Sequence, residues 1–260
     1  MNNVNKTLYI PLYGKAYVSS RGLLLEDKKA EQIWEAQGFS LRGKAKSKWL
    51  AYNMAMRSAV FDCWLEEKQR ELPGAVILHV GCGMDSRILR VGNRHHQWYD
   101  VDFPEVIEER KRYFEETETY HMIPSDIRDI QWLSQIPRGS DAIIVMEGIS
   151  MYLPVGELKA VLRQWKEYFG ETRILTDSYT VFGAKASKYK NPINQVGVTQ
   201  VYGFDDPQEL AEDTQLLFVR ERDLTPQWLI EKLPRSEQGF FKIFFAGNAA
   251  KKIYRLYEYR

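Results

Sequence analysis

The chain has 260 residues, with 36 lysines and arginines against 35 aspartates and glutamates, for a formal net charge of +1. That length suits one large α/β domain with ample room for a core. Apolar residues at 44% and charged residues at 27% exclude a disordered chain, and the near-neutral balance gives no electrostatic footprint for nucleic acid or an anionic membrane. The two cysteines, Cys63 and Cys82, form no C-x-x-C, which excludes a disulfide scaffold and a structural zinc site. No apolar run reaches the roughly 20 residues of a membrane span, and MNNVNKTLYI has no signal-peptide pattern. The expectation is a reduced, cytoplasmic, globular protein with no membrane or nucleic-acid partner.

In chain order, residues 1–72 read as a helical cap, a lid or flank rather than a domain of its own. Within it, the helix Lys48–Arg70 carries Leu50, Met54, Phe61 and Trp64 on one face, and Arg57 falls on that face by i+3/i+4 spacing. Residues 75–80, 97–102, 120–123, 141–146 and 173–176 are short, nearly continuous apolar runs, as expected of strands covered on both faces. Pro104 suits a helix first turn, with Val106, Ile107, Tyr113 and Phe114 recurring behind it. Leu158, Val161, Leu162, Trp165 and Phe169 form a second helical stripe, with Gly170 as its stop. Strand and helix alternating five times predict βαβ units and a doubly wound α/β sheet over residues 73–180. Residues 181–260 read as an insertion, around Lys188–Ile193, followed by C-terminal strands; Lys252–Tyr257 would return as an antiparallel edge. All of it belongs to a single 260-residue domain.

Ligands of open α/β sheets sit beyond the carboxyl ends of the strands. Four acids fall at those ends: Asp102, Asp126, Glu147 and Asp177. One such acid is what any polar loop supplies; four on one rim point to a site for hydroxyls and amines. The turn Gly81-Cys82-Gly83 directly follows a strand, and Asp102 lies about 20 residues on, where an acid accepts from ribose hydroxyls. A dinucleotide fingerprint needs a third glycine at position 86, which is Ser. A nucleoside without a pyrophosphate therefore fits better, with S-adenosylmethionine the leading candidate. Arg57, directed inward, must meet an anion: a structural acid, or a ligand carboxylate such as the methionine end of that cofactor. The four histidines have no ligand spacing, so no metal is expected, and no G-x-S-x-G elbow marks a serine hydrolase.

The stretch His79-Val80-Gly81-Cys82-Gly83-Met84-Asp85-Ser86-Arg87, then Trp98-Tyr99-Asp100-Val101-Asp102-Phe103-Pro104-Glu105-Val106-Ile107, resembles the leucine carboxyl methyltransferase family. The likeness is closer to its bacterial branch, the O-methyltransferases of tetracenomycin-type polyketide biosynthesis. Met146-Glu147-Gly148-Ile149-Ser150-Met151-Tyr152-Leu153 matches that family's acid-plus-tyrosine motif, and the likeness runs from about Leu12 to Asp177. Cys82 departs from the alanine of many members, one small side chain for another. The resemblance implies a class I S-adenosylmethionine-dependent methyltransferase fold, Rossmann-like, with an N-terminal helical extension and an insertion over the site. It implies that Gly81 and Gly83 face the cofactor, Asp102 holds the ribose, and Asp126 with Ile127 reads the adenine. Arg57 and Lys15 would bind the methionine carboxylate, and Glu147 the amine.

The expected reaction is in-line attack of an acceptor oxygen on the sulfonium methyl, catalysed mainly by positioning. A carboxylate, with a pKa near 4, needs no base, whereas a phenol near 10 does. Tyr152 and Tyr179 are the residues expected near the methyl. The acceptor is expected to be a small molecule bearing a carboxylate or a phenol, such as a polyketide-like compound. A protein C-terminus, a nicotinamide-dependent oxidoreductase and a non-catalytic nucleoside-binding module are the alternatives. The basic run Lys185–Lys190 reads as a solvated face or a grip on an acidic partner.

Overall fold

Alternation along five apolar runs sets the frame. In Val76–Val80 (β1), Ile77 packs with one core and its neighbours Leu78 and Val80 with the other, so the strand is covered on both faces. Trp98–Asp102 (β2) and Ala142–Met146 (β4) pair with it in parallel, and Tyr120–Pro124 (β3) and Thr172–Tyr179 (β5) extend the parallel sheet beyond β2 and β4. The computed structural model describes residues 5–38, 41, 43–188 and 200–260. Two further strands, Phe218–Arg222 (β6) and Tyr254–Tyr259 (β7), complete a seven-stranded sheet of order β3-β2-β1-β4-β5-β7-β6. The helices, in order, are Tyr9–Ser19 (α1), Lys28–Ala36 (α2), Lys48–Glu71 (α3), Arg87–Val91 (α4), Pro104–Arg110 (α5) and Val155–Tyr168 (α6). They continue with Val181–Ser187 (α7), Gln208–Ala211 (α8), Gln227–Ile230 (α9), Arg235–Phe245 (α10) and Gly247–Lys251 (α11).

The C-terminal strand does run antiparallel to β5, but it lies inside the sheet; β6 is the edge. Phe-Val-Arg-Glu-Arg has too polar a pattern to be read as a strand. It is held by Arg220 and Arg222, whose Nε atoms donate to Glu258 on β7 at 2.9 and 2.8 Å, and charges on an edge also discourage edge-to-edge pairing. The β3-to-β4 crossover holds a 3-10 turn, Ile130–Gln135, where the alternation led us to expect an α-helix. Helix α6 ends at Tyr168 with Phe169 extended. Gly170 is required by close approach, since a Cβ there would lie 2.7 Å from Asp141 Oδ1. The insertion expected around 188–193 lies outside the described residues beyond Lys188.

Helix α3 is sandwiched between α1 and the sheet, so it is buried on more than its apolar stripe: Ala51, Tyr52, Ala55, Ser58 and Ala59 are inside as well as Phe61 and Trp64. This is why Arg57 is buried (6% exposed). Helices α1 to α3 share one core with that sheet face, through Leu12, Phe61, Trp64, Ile77 and Trp98. Helix α6 covers the opposite face with Leu158, Leu162 and Trp165.

Candidate active site

The strand order reverses between β1 and β4, and there the carboxyl ends open onto a cavity of about 980 Å³, at the top of the roughly 300–1,000 Å³ range of small-molecule sites. Its floor is the glycine turn. Gly81 (φ +65°) and Gly83 (φ +51°) both adopt left-handed backbone, and a Cβ on Gly81 would lie 2.1 Å from Ile149 Cγ2. Asp102, at the end of β2, accepts from Gly83 N–H (2.7 Å) and Phe103 N–H (2.8 Å). Burial pushes its carboxyl up to about 6 despite those two bonds. The Gly83 carbonyl accepts from Arg110 Nη1 at 3.0 Å and Gly81 N–H donates to Val101 O at 2.7 Å, so both ends of the turn are pinned. Arg110 in turn ion-pairs with Asp100, which also accepts from Trp98 Nε1 and Tyr120 O–H.

Arg57 meets structural acids. Its Nε donates to Glu147 Oε1 (2.9 Å), while Nη1 faces Asp177 Oδ2 (3.2 Å) and Tyr254 Oη (3.1 Å). Nη2 has no acceptor among the described residues. Glu147 also accepts from Ser58 Oγ (3.0 Å) and Arg87. Burial would raise its carboxyl, but Arg57 and Arg87 bring it down to about 2. Asp177 accepts from Gly148 N–H at 2.8 Å, and there burial wins: the carboxyl rises to about 6. The internal-salt-bridge reading of Arg57 is therefore the one its two paired nitrogens satisfy, while the residue still lines the cavity.

Lys15 reaches in from α1 and pairs with Asp85 at 3.1 Å. Asp85, Arg87 and Arg90 formed part of no site expectation, yet they organise this wall. Arg90 joins Asp85 (2.8 Å), Asp62 (2.7 Å) and Asp27 (2.6 Å), and Ser86 donates to the same Asp27. Asp27 is the N-cap of α2, accepting from Ala30 N–H at 2.8 Å. Position 86, where a dinucleotide fold has glycine, thus ties the turn to the N-terminal helices. His79 lies between Arg87 Nη1 (3.0 Å from Nε2) and Asp100 (3.1 Å from Nδ1). Since arginine only donates, the proton of a neutral imidazole belongs on Nδ1, and burial lowers its pKa. An acid and two arginines within a six-residue span just after a glycine turn, Asp85-Ser86-Arg87-x-x-Arg90, was the available signal.

Asp126 stands at the rim, gripped by Arg128 (Nη2 to Oδ2, 2.6 Å), which lowers its pKa. Ile127 lines the cavity beside it. Tyr152 and Tyr179 line the far side. Burial pushes the Tyr152 hydroxyl up to about 12, and Tyr179 stacks edge-on against Tyr254, centroids 4.9 Å apart. All ten expected site residues border this one cavity. Its charged lining groups, Lys15, Arg57, Asp85, Asp102, Asp126, Arg128 and Glu147, come from the strand-end loops and the adjoining cap helices. Trp49, Met54, Met151, Tyr179 and Ile253 give the rest an uncharged, largely apolar character.

Residues 6–166 match the model of the leucine carboxyl methyltransferase family. The chain belongs to that family. Tetracenomycin polyketide synthesis O-methyltransferase of Streptomyces glaucescens is 30% identical over 158 residues, 60% of this chain and 58% of that protein. An S-adenosyl-L-methionine-dependent methyltransferase of Gibberella zeae is 27% identical over 245 residues, 85% of this chain and 82% of the other. The chain thus spans little more than half of the first relative and most of the second. Among solved structures, a Thermobifida fusca protein described as a methyltransferase superposes with a TM-score of 0.62 at 12% identity, over 95% of this chain and 93% of that one. Magnesium protoporphyrin IX methyltransferase of Synechocystis, solved with S-adenosylhomocysteine, gives 0.50 at 14% identity, over 94% and 96%. Those two likenesses establish the fold.

Proposed function

We propose that this methyltransferase transfers the methyl group to an oxygen, carboxylate or phenolic hydroxyl, of a small apolar molecule held in the uncharged part of the cavity. The observation that carries the reading is one continuous cavity whose lining joins the charged groups of the strand ends and cap helices to aromatic, methionine and aliphatic side chains. A volume of about 980 Å³ leaves room for two ligands. The polyketide O-methyltransferase among the relatives supports an oxygen acceptor.

The residues fit the cofactor's groups. Asp102 keeps lone pairs beyond the two backbone donors, and these suit ribose hydroxyls. Arg57 Nη2 and the Lys15 ammonium are cations on the cavity wall suited to the methionine carboxylate, and Glu147, held ionised, suits the amine. Asp126 and Ile127 border the place expected for the adenine. When bound, S-adenosylmethionine supplies an electrophilic methyl on a sulfonium. An acceptor oxygen attacking that methyl would gain the C–O bond as the S–CH₃ bond broke, with the thioether as leaving group. Tyr152, with its pKa pushed up to about 12, stays protonated at neutral pH and donates a hydrogen bond; it is no base. An acceptor carboxylate arrives ionised, whereas a phenol must lose its proton to water or to a neighbouring group. Helix α1 and the Trp49 end of α3 exclude water from this end of the cavity.

The test is calorimetric titration of S-adenosylhomocysteine and NADH, followed by incubation with S-adenosylmethionine and a panel of aromatic acids and phenols, reading the gain of one methyl by mass. Binding of the adenosyl compound alone, with methylation of at least one oxygen acid, is the expected result. Binding of NADH alone would overturn the proposal.

A further inference from the structure

Large exposed apolar side chains stand on the elements beside this cavity, two of them on its lining. Phe182, Trp228, Phe240, Ile243, Phe244 and Ile253 are all exposed, Ile243 at 70% and Phe182 at 64%. Contacts between their elements join them: Phe240 and Phe244 meet at a tilt with centroids 4.7 Å apart, and Phe244 and Ile253 both line the cavity. Thr180, at the start of α7, is bonded to Lys252 O (2.7 Å) and Ile253 O (3.0 Å). Lys242 Nζ donates to Gln227 Oε1 at 3.3 Å, tying α10 to α9 beside Trp228. Scattered exposed apolar residues need no explanation, but a joined patch beside a pocket does.

The surrounding charge says what the patch meets. Lys185, Lys188, Lys232, Arg235, Lys242 and Lys252 lie exposed on the same elements, and none has an acidic partner among the described residues. The nearby acids are fewer. Glu237 is taken by Lys48 and Glu221 by Lys251 and Arg255, which leaves Asp205 beside Val181 N–H and Glu231 bonded to Gln227. We propose that the face formed by α7, α9, α10 and α11 docks on an anionic lipid surface. Phe240, Ile243, Phe244 and Trp228 enter the interface while the lysines meet the headgroups. A second copy of the chain is a worse occupant. A two-fold contact is self-complementary and would bring one lysine ring against another. Docked this way, the cavity mouth faces the lipid, and an apolar acceptor passes into it without crossing bulk water. The docking stands on the patch and its charges and is independent of which acceptor is methylated.

The experiment is co-sedimentation of the full chain with vesicles of phosphatidylglycerol or of phosphatidylcholine, with solution mass from light scattering. At least about tenfold more protein should pellet with phosphatidylglycerol, as expected of several basic residues near an anionic surface. Pelleting should weaken as salt rises from 0.1 to 1 M and the screening length falls from about 10 Å to about 3 Å. Ile243→Glu should abolish it and Lys242→Glu with Lys252→Glu should reduce it, with the unfolding midpoint and the affinity for S-adenosylhomocysteine unchanged. Equal pelleting with both lipids, or undiminished pelleting of Ile243→Glu, overturns the proposal. So does a lowered midpoint in Ile243→Glu, which would mean a packed residue, or a dimer that this substitution dissociates.

Discussion

Replacing Arg57 by methionine keeps the side chain's length and removes its charge, leaving two buried acids short of a partner. Glu147 retains Arg87 and Ser58, whereas Asp177 retains the Gly148 N–H and the Tyr254 hydroxyl. Removing one partner of a buried ion pair costs about 3–5 kcal/mol, and the second cation on Glu147 sets our expectation at the lower end, about 3 kcal/mol at pH 8. For a chain of this length that is roughly 6–12 °C in the unfolding midpoint. The pH dependence is the sharper test. Burial already places the Asp177 carboxyl at about 6, with Arg57 holding it down from a higher value. Without Arg57 it rises further, and Asp177 takes up a proton near neutrality. A protonated acid needs no cation, so the stability difference should shrink as pH falls from 8 to 6. Urea unfolding of both proteins at pH 8, 7 and 6 gives that difference directly. A difference below about 1 kcal/mol, or one flat across this range, refutes the account of a buried pair. Titration of S-adenosylhomocysteine under the same conditions separates the second role. Lost stability with unchanged affinity would remove Arg57 Nη2 from the cofactor carboxylate.

Asp102→Asn should weaken S-adenosylhomocysteine binding by about 1–3 kcal/mol. With Asp102 pushed up to about 6 by burial, wild-type affinity should fall as pH drops through that value and the variant's should not; parallel profiles would exclude the carboxylate from the ribose. Gly81→Ala puts a Cβ 2.1 Å from Ile149 Cγ2 on backbone at φ +65°, so cofactor binding should be lost. Adding Ile149→Ala should restore it only in part, since full recovery would mean the left-handed backbone carries no cost. Glu147, Asp100 and Glu258 are held at about 2 against burial by their arginine and histidine partners. Lowered acids give stability that is complete above the unfolded pKa near 4 and is lost as pH falls towards 2. Asp102 and Asp177, raised to about 6, act oppositely between pH 6 and 4, while buried neutral His79 loses stability below pH 6.5. The midpoint should therefore hold a plateau down to about pH 4.5 and then drop steeply; a steep loss already at pH 6 would make His79 dominant.

What could be read in the sequence and what could not divides along a physical line. The five parallel strands were legible because each residue of such a strand faces a core, so burial alone writes the pattern; Ala142–Met146 is apolar and buried at every position. Strand β6 was not, since an edge strand of Phe-Val-Arg-Glu-Arg is fixed by partners on another strand and not by its own periodicity. Arg57 shows the same limit inside the site. Helical spacing put it on the inward face, but a cofactor clamp and an internal ion pair require the same inward cation, and the deciding Glu147 lies 90 residues away. Asp85 and Arg87 escaped for a related reason, because their value lies in joining Lys15, Asp62 and Glu147 across three segments. Charge behaves alike. A net charge of +1 conceals the uneven placement of its parts: Glu67, Asp62, Asp85 and Asp100 are consumed by buried or half-buried arginines, while six bases without an acidic partner among the described residues stand on or beside α7, α9, α10 and α11. The sum over the chain predicted no electrostatic footprint. The distribution creates one, at the point where an apolar acceptor would enter.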